Sequence, residues 1–269
     1  MSKVVLITGG SSGIGKAIGE YLSEKGYTVY GTSRNPSKYN NDFPFQLLKM
    51  EVTNQESIAE VIEKIVASEN RIDVVINNAG VGITGPLEET PYDEIRKAFD
   101  INYHGPLNVI KAVLPQMRVQ KNGLIINITS IAGYMGLPYR GIYSATKAAL
   151  EITSETLRME LKQFGIKMTN IAPGDFATNI AAGRYHAPVL ENSPYKNVYK
   201  KTLAMMNDHV DQGEDPSVLA AIVYKVINEK KPKVRYKVGS LVQKYSIVLK
   251  RVLPSKWYEK MLMRHFEIR

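Results

Sequence analysis

The chain has 269 residues, of which 44% are hydrophobic, and this is enough for one domain with a well-buried core. It contains no cysteine, which excludes a disulfide framework, thiolate catalysis, zinc fingers and iron–sulfur ligation. The net charge is +9, but residues 217–269 carry 13 Lys/Arg and 3 Asp/Glu, so the first 216 residues are nearly neutral at −1. A nucleic-acid-binding protein would spread positive charge over a folded face, and we therefore expect no nucleic-acid partner.

Seven short, mostly β-branched runs alternate with longer segments of helical period. The predicted strands are Val4–Thr8, Thr28–Thr32, Phe45–Met50, Val74–Asn77, Leu124–Ile128, Lys167–Ala172 and Lys233–Val238. The predicted helices are Ile14–Lys25, Ser57–Ser68, Tyr92–Arg118 and Tyr143–Phe164. Apolar strands that alternate with helices indicate a parallel sheet covered on both faces, so we predict a single doubly wound α/β domain with a seven-stranded parallel sheet.

Two segments depart from this alternation. Residues 177–212 are mixed and polar, without a strand signal, and a long segment of that kind inside a compact domain is usually functional. We expect residues 1–240 to form the α/β domain, with an insertion over 177–212. Residues 241–269 are predicted to form a basic amphipathic helical extension of the same domain.

The first predicted strand runs into a glycine-rich turn, Thr8 to Gly15, that precedes a helix. Glycines there let the backbone approach a pyrophosphate, whose charge is favourable at the positive end of the helix. The spacing is Gly-x-x-x-Gly-x-Gly, not the Gly-x-Gly-x-x-Gly of the long-chain dinucleotide fold. A glycine-rich turn without a ligand is the alternative.

The second predicted strand ends at Ser33 and Arg34, without the carboxylate that would hold a ribose 2′-hydroxyl. The planar guanidinium of Arg34 suits a 2′-phosphate, which favours NADP(H), and a solvated loop arginine is the alternative. The run Asn77-Asn78-Ala79-Gly80 after the fourth strand suits polar contact with a ligand, although a plain turn has the same composition.

Tyr143 and Lys147 are four residues apart in a predicted helix, so they share one face. A tyrosine is a poor acid–base group at neutral pH unless a nearby cation favours the phenolate, which a lysine one turn away would do. Ser130 lies just past the fifth strand, at the edge where ligands of such sheets bind, and its hydroxyl could hold a carbonyl oxygen.

Together these residues resemble the short-chain dehydrogenase/reductase family, over roughly residues 3–180 and in the family's order. The turn Thr8 to Gly15 resembles the family's cofactor signature, and Asn77 to Gly80 resembles its sheet-stabilising motif. Pro173-Gly174, with Thr178 shortly after, resembles the loop that closes on nicotinamide. One departure is Glu51-Val52, where many members have Asp-Val to touch adenine.

The resemblance implies a Rossmann-type domain and a set of site residues. The implied catalytic residues are Asn102, Ser130, Tyr143 and Lys147. The implied cofactor-binding residues are Gly9, Ser11, Ser12, Gly13, Ile14, Gly15, Ser33, Arg34, Glu51, Val52, Asn78, Ala79, Gly80, Tyr143, Lys147, Pro173, Gly174, Phe176 and Thr178. The four histidines, His104, His186, His209 and His265, are scattered, and we expect no metal site.

The implied activity is NADP(H)-dependent transfer of a hydride between nicotinamide and a carbonyl or secondary alcohol. Tyr143 would donate or accept the proton, Lys147 would assist it and hold the nicotinamide ribose, Ser130 would bind the reacting oxygen, and Asn102 would position a water. A non-catalytic NADP-binding sensor or scaffold on the same fold is the alternative, although such proteins tend to lose the Tyr/Lys pair. A homodimer or tetramer is also expected from the family.

The substrate is expected to be lipophilic. The stretches 235–254 and 136–138 resemble those of 17β-hydroxysteroid and retinol dehydrogenases, which take steroid- or retinoid-like alcohols and ketones; keto lipids fit equally well. Aromatic and aliphatic side chains of the insertion either line a pocket or pack the segment onto the core. These residues are Phe176, Ile180, Tyr185, Tyr195, Tyr199, Leu203, Met205 and Met206.

The tail carries two apolar stripes at helical spacing. They comprise Leu241, Val242, Tyr245, Val248, Leu249, Val252 and Leu253, and then, after Pro254, Trp257, Tyr258, Met261, Leu262, His265 and Phe266. We expect both stripes to dock on the domain and cover the pocket, with the lysines in water. The alternative is peripheral contact with an anionic membrane. No run approaches the roughly 18 apolar residues of a membrane span, and no signal-peptide layout is present, so the expected location is cytoplasmic, with or without membrane association.

Overall fold

The computed structural model describes residues 2–39, 42–176, 183–211 and 213–268, with the backbone alone for residues 209–211. Thr178 and Ile180, which the sequence assigns to the cofactor loop and to the insertion, lie outside the described residues.

The described residues form nine strands and nine α-helices. The strands are β1 (Val4–Ile7), β2 (Thr28–Ser33), β3 (Gln46–Lys49), β4 (Val74–Asn77), β5 (Ile83–Thr84), β6 (Gly123–Ile128), β7 (Ile166–Pro173), β8 (Tyr185–His186) and β9 (Arg235–Val238). The helices are α1 (Gly13–Glu24), α2 (Gln55–Glu69), α3 (Tyr92–Phe99), α4 (Gly105–Gln120), α5 (Gly141–Glu160), α6 (Lys196–Asp211), α7 (Pro216–Asn228), α8 (Leu241–Val252) and α9 (Ser255–His265).

Seven strands form one parallel sheet in the order β3-β2-β1-β4-β6-β7-β9. The chain winds outward first through β2 and β3 and then, from β4, in the opposite direction. The order therefore reverses between β1 and β4, and in doubly wound sheets the ligand crevice lies at the carboxyl ends of the strands at this point. The predicted single α/β domain with seven parallel strands is confirmed.

Alternating side chains of the sheet build a core on each face, as the period of two along a strand requires. On one face, α1 and α7 pack around Ile7, Ile18 and Val223. On the other, α2 and α4 pack around Leu6 and Ile65, together with the end of α5. Burial on both faces explains why the strands read as continuous apolar runs in the sequence.

All seven predicted strands are present, but the helical segments differ in detail. The predicted helix Tyr92–Arg118 is a helical run interrupted by a π-helical turn at Asp100–His104, between α3 and α4. The insertion, expected to lack a strand, contains β8, which pairs in parallel with β5, and the helix α6. The pairing covers only two residues, too few to leave a periodic signal in the sequence. No helix was predicted over α7. Most of its residues are apolar, so the helical period does not stand out in the sequence.

The tail forms the two predicted helices, but only one of its stripes docks as expected. Tyr258 and Phe266 of α9 are buried, and Met261 and Leu262 pack beside them. Six of the seven residues of the α8 stripe are exposed, whereas Leu253 packs beside Ile131 and Ile247. The inner face of the helix is formed instead by the residues on its opposite side. The expectation that both stripes dock on the domain is therefore wrong for α8. No helix among the described residues is both long enough and apolar enough to cross a membrane.

Shortening a side chain inside the sheet should destabilise the fold, because Ile126 in the central strand β6 is 0% exposed. We expect Ile126→Ala to lower the free energy of unfolding by about 2–5 kcal/mol through lost apolar burial and the cavity left behind. Val119→Ala, at a site that is 80% exposed, is the control and should change it by less than about 0.5 kcal/mol. Urea unfolding followed by circular dichroism measures both, and equal effects would contradict the assignment of β6 to the core.

Candidate active site

The turn after β1 packs closely against the neighbouring backbone only because its glycines lack side chains. A Cβ on Gly15 would lie 2.2 Å from the Gly9 carbonyl oxygen, and one on Gly10 would lie 2.8 Å from the Cα of Gly31 in β2. Gly9 also has a φ of +66°, which disfavours other residues. The predicted residues Ser11 and Ser12 complete this turn, immediately before α1. Its backbone N–H groups and the helix dipole suit an anion such as a dinucleotide pyrophosphate.

Asn78 joins the end of β4 to this glycine turn. Its Nδ2 donates to the carbonyl oxygens of Thr8 (3.0 Å) and Gly9 (3.1 Å). The Thr8 hydroxyl oxygen accepts in return from the backbone N–H groups of Asn78 (3.0 Å) and Ala79 (2.9 Å). Four hydrogen bonds therefore fix the cofactor turn against the neighbouring strand at the point where the sheet order reverses. Asn78 shapes the site through the protein backbone, as the sheet-stabilising motif implies.

Residues at the ends of β2 and β3 meet beside the turn. The Arg34 side chain is largely exposed, and its Nε lies 3.9 Å from Oε2 of Glu51. Ser33 accepts a hydrogen bond from the backbone of the following loop (3.3 Å), and Val52 is buried. At 3.9 Å the pair is loose and exposed, so the five N–H donors of the guanidinium stay accessible to an anionic ligand.

Asn102 and Lys147 converge on the backbone of Gly80. A Cβ placed on Gly80 would lie 3.2 Å from Oδ1 of Asn102 and 3.5 Å from Nζ of Lys147. Asn102 sits in the π-helical turn and pairs with both backbone groups of Val81: Oδ1 accepts from the N–H and Nδ2 donates to the carbonyl, each at 2.8 Å. Nδ2 also donates to Thr146 (3.2 Å). The π-helical turn thus directs the Asn102 amide inward, where its hydrogen bonds hold it beside Lys147.

Tyr143 and Lys147 project from one face of α5 into the same region. Both are buried, and Lys147 Nζ lies 5.9 Å from the centre of the Tyr143 ring. The ammonium donates to the carbonyl oxygen of Ile128 at the end of β6 (3.1 Å). Ser130, two residues further on, begins a short 3₁₀ turn, and its hydroxyl oxygen accepts from the N–H of Ala132 (3.1 Å). Asn102 and Lys147 therefore meet at Gly80, Tyr143 lies on the same helix face as Lys147, and Ser130 follows by two residues the carbonyl that Lys147 binds.

Glu151 continues the same helix face and was not predicted. It is buried and accepts from Thr129 (2.5 Å), from Nδ2 of Asn170 (2.9 Å) and from Nε of Arg235 (3.1 Å). These bonds tie α5 to β7, to β9 and to Thr129, which lies between the end of β6 and Ser130. A signal was present in the sequence, since Glu151 follows Lys147 by the same four residues that separate Tyr143 from Lys147.

The end of β7 carries the predicted cofactor loop. Gly174 donates its N–H to the carbonyl of Val238 (2.7 Å), and a Cβ on it would lie 1.9 Å from Oε1 of Gln243 in α8. Gln243 Nε2 in turn donates to Asp175 (2.7 Å). Pro173 is the last residue of the strand, and Phe176 is buried in the core around α1 and α7. Phe176 therefore packs in the core, which is the second of the two alternatives that the sequence left open for it.

A buried arginine beside Tyr143 was also missed. Arg184 is 8% exposed, and its Nη1 has no hydrogen-bond partner among the described residues. Burial, and then the charge of Arg140, lowers the pKa of Arg184. The Arg140 guanidinium lies 5.2 Å from the centre of the Tyr143 ring. An unpartnered buried donor next to the tyrosine can donate a hydrogen bond to an acceptor atom of a bound molecule. Its loop carries no motif that the sequence could have revealed.

A cavity of about 610 Å³ opens at the start of α5, where it is lined by Gly141 and Ile142, just before Tyr143 in the chain. It is lined by β5 and the segment after it, by the segment before α5, and by Tyr195 of the insertion: Ile83, Thr84, Gly85, Pro86, Leu87, Glu88, Thr90, Leu137, Tyr139, Gly141, Ile142 and Tyr195. Most of these side chains are apolar or aromatic, and the volume is typical of small-molecule pockets. Of the insertion residues proposed as lining, Tyr195 lies here, whereas Tyr199 and Met206 are buried in packing. The described residues hold no group of three or more potential metal ligands.

The family described as short chain dehydrogenase matches residues 3–188. The chain belongs to the short-chain dehydrogenase/reductase family. Its members are oxidoreductases that use a nicotinamide dinucleotide, and the glycine turn described above fits the pyrophosphate of such a cofactor. The resemblance inferred from the motifs is confirmed over this range.

Individual relatives extend the match over the whole chain. The 3-ketodihydrosphingosine reductase of Bacteroides thetaiotaomicron is 40% identical over 268 residues, and the match covers 99% of both proteins. The crystal structure of a short-chain dehydrogenase from Streptomyces avermitilis is 33% identical, with a TM-score of 0.82 over 97% of this chain and 98% of that one. The structure of ElxO with NADP bound is 28% identical, with a TM-score of 0.70 over 88% and 97%.

Replacing Asn78 tests whether this residue shapes the cofactor site without taking part in the reaction. We expect Asn78→Ala to weaken dinucleotide binding about tenfold and to lower the free energy of unfolding by about 1–3 kcal/mol, because two buried carbonyls lose their donor. Fluorescence titration and urea unfolding measure the two effects. The control is Asn228→Ala, which removes an amide with exposed hydrogen bonds at the end of α7. If cofactor affinity fell equally in the control, Asn78 would have no special part in the turn.

Proposed function

We propose that this protein is an NADP(H)-dependent short-chain dehydrogenase/reductase that interconverts a ketone and a secondary alcohol on a lipophilic, lipid-like substrate. The observation that carries the proposal is the convergence of Asn102 and Lys147 on Gly80, with Tyr143 on the same face of α5 as Lys147 and a largely apolar cavity at the start of that helix.

Each residue has a distinct part in the proposed reaction. The bound nicotinamide supplies or accepts the hydride. Tyr143 gives a proton to the carbonyl oxygen in reduction and takes it back in oxidation, while the nearby Lys147 ammonium stabilises the charge that develops on the phenol oxygen. Ser130 donates a hydrogen bond to the same oxygen. Asn102 holds Val81 in place, and the second lone pair of its Oδ1 can accept from a relay water.

The proposed substrate class follows from the cavity and from its polar neighbour. The apolar lining favours a hydrocarbon portion, and the free Nη1 of Arg184 can donate to a hydroxyl or carbonyl oxygen near the reacting carbon. A long-chain 3-keto lipid has both features, and similarity to a 3-ketodihydrosphingosine reductase favours this class over steroids and retinoids. Activity should therefore rise with chain length across a series of ketones, and activity restricted to small polar ketones would overturn this assignment.

We also propose that the protein is a homo-oligomer. Helix α5 exposes Ala145 together with Ile152 and Met159, so its outer side offers a close-packing apolar strip. An apolar strip on a long surface helix is typical of self-association.

The preference for NADP(H) is tested at Arg34. Arg34→Ala should raise KM for NADPH by about tenfold or more and leave KM for NADH nearly unchanged, because only a 2′-phosphate pairs with the guanidinium. Glu51→Gln removes the competing carboxylate and should lower KM for NADPH. Steady-state kinetics with both cofactors measure these changes, and a preference of the wild type for NADH would contradict the proposal.

The chemical role of Tyr143 is tested by Tyr143→Phe, which removes only the hydroxyl. We expect turnover to fall by at least about 10²-fold, as for loss of a general acid–base group, with NADPH affinity largely retained. Turnover near the wild-type rate would overturn the assignment. Absence of turnover in the wild type across all ketones, with tight NADPH binding, would instead favour the alternative of a non-catalytic sensor.

A further inference from the structure

The outer face of α8 is apolar and exposed, opposite to the face that docks on the domain. Gln243, Ser246 and Ile247 point inward. The outward residues recur at helical spacing and are Leu241, Val242, Tyr245, Val248, Leu249 and Val252, between 37% and 79% exposed. Trp257, the single tryptophan of the chain, adds a ring that is 69% exposed at the start of α9. We call these seven residues the outer apolar face.

Positive charge lies along one side of this face and on the next helix. Residues 241–268 contain six Lys/Arg and two Asp/Glu. Lys244 and Arg251 flank the outer apolar face on one side, and Lys256 and Lys260 lie on the neighbouring helix. None of these four forms an ion pair with a carboxylate among the described residues, so their charge is available to a partner.

We propose that the outer apolar face is a membrane-docking surface that rests on a bilayer rich in anionic lipid. An amphipathic helix with apolar, tyrosine and tryptophan side chains between lysines and arginines has the chemistry of an interfacial anchor. A second copy of this chain fits less well, because a symmetric contact would place the same basic residues of both copies against each other. An anionic surface satisfies the apolar and the charged parts together.

The position of α8 explains what such docking would achieve, on the basis of the lipid-like substrate proposed above. Its inner side contacts both loops of the candidate site: Gln243 bonds to Asp175 beside the cofactor loop, and Ile247 packs on Ile131, next to Ser130. The outer apolar face is therefore about one helix diameter, roughly 10 Å, from these loops. Docking would hold the site against the bilayer from which a lipid ketone must be taken.

Co-sedimentation with vesicles tests the proposal. The wild type should bind vesicles of phosphatidylcholine and phosphatidylglycerol at about 0.1 M salt, and bind pure phosphatidylcholine vesicles at least about tenfold more weakly. The emission of Trp257 should shift to shorter wavelength on binding. The proposal would be overturned if the protein did not co-sediment with the anionic vesicles and its emission stayed unchanged. Equal binding to the anionic and the pure phosphatidylcholine vesicles would also overturn it.

Two variants and a matched control locate the surface. Val242→Ser, Val248→Ser and Val252→Ser combined should weaken binding at least about tenfold, as should Lys244→Glu with Arg251→Glu. The control replaces two exposed valines elsewhere, Val119→Ser and Val218→Ser, and should bind as the wild type does. Binding of the valine variant as strong as that of the wild type would overturn the proposal. A change in the oligomeric state of that variant, measured by sedimentation velocity, would also overturn it, because it would identify the outer apolar face as a self-association surface.

Activity on a short, water-soluble ketone without vesicles separates this proposal from the proposed function. All the variants should retain the wild-type rate there, because none of the changed residues lies in the candidate site. Normal activity without vesicle binding would overturn membrane docking alone. Vesicle binding by a protein without any reductase activity would overturn the proposed function alone.

Discussion

The backbone from Asn78 to Thr84 is the constraint on which the whole site depends. Asn78 fixes the glycine turn, Gly80 admits the Asn102 and Lys147 side chains, and Val81 holds Asn102 by two hydrogen bonds. Further along, Gly82 lies against Arg184, and β5 lines the cavity. The glycine turn, the Asn102–Lys147 pair and the cavity are therefore held in register by seven consecutive residues at the edge where the sheet order reverses.

Helix α5 supplies the complementary side of the site. Its inward face carries Tyr143, Lys147 and Glu151 at intervals of four residues, and Glu151 anchors that face to three strands of the sheet. The first two residues were predicted because their four-residue spacing follows Ser130 and a glycine-rich first turn in the sequence. Glu151 was missed because a carboxylate on a helix is usually a solvated residue, and only the fold shows that it is buried.

The sheet could be predicted almost completely, because strands buried on both faces leave uninterrupted apolar runs. Other features depend on contacts between distant parts of the chain, which no local pattern encodes. They are the pairing of β5 with β8, the burial of Arg184 and the packing of Phe176. The tail shows the same limit. Periodicity gave the apolar stripe of α8, but which side of that helix meets the domain is decided by Gln243 and Ile247.

The central claim is that this architecture carries a hydride between nicotinamide and a carbonyl carbon of a lipid-like ketone. Incubation of the protein with C4-deuterated NADPH and a long-chain 3-keto lipid, followed by mass spectrometry of the product, tests it most directly. We predict an alcohol with one deuterium on the former carbonyl carbon, and no product with Tyr143→Phe. Product without deuterium at that carbon, or no product from any ketone, would contradict it.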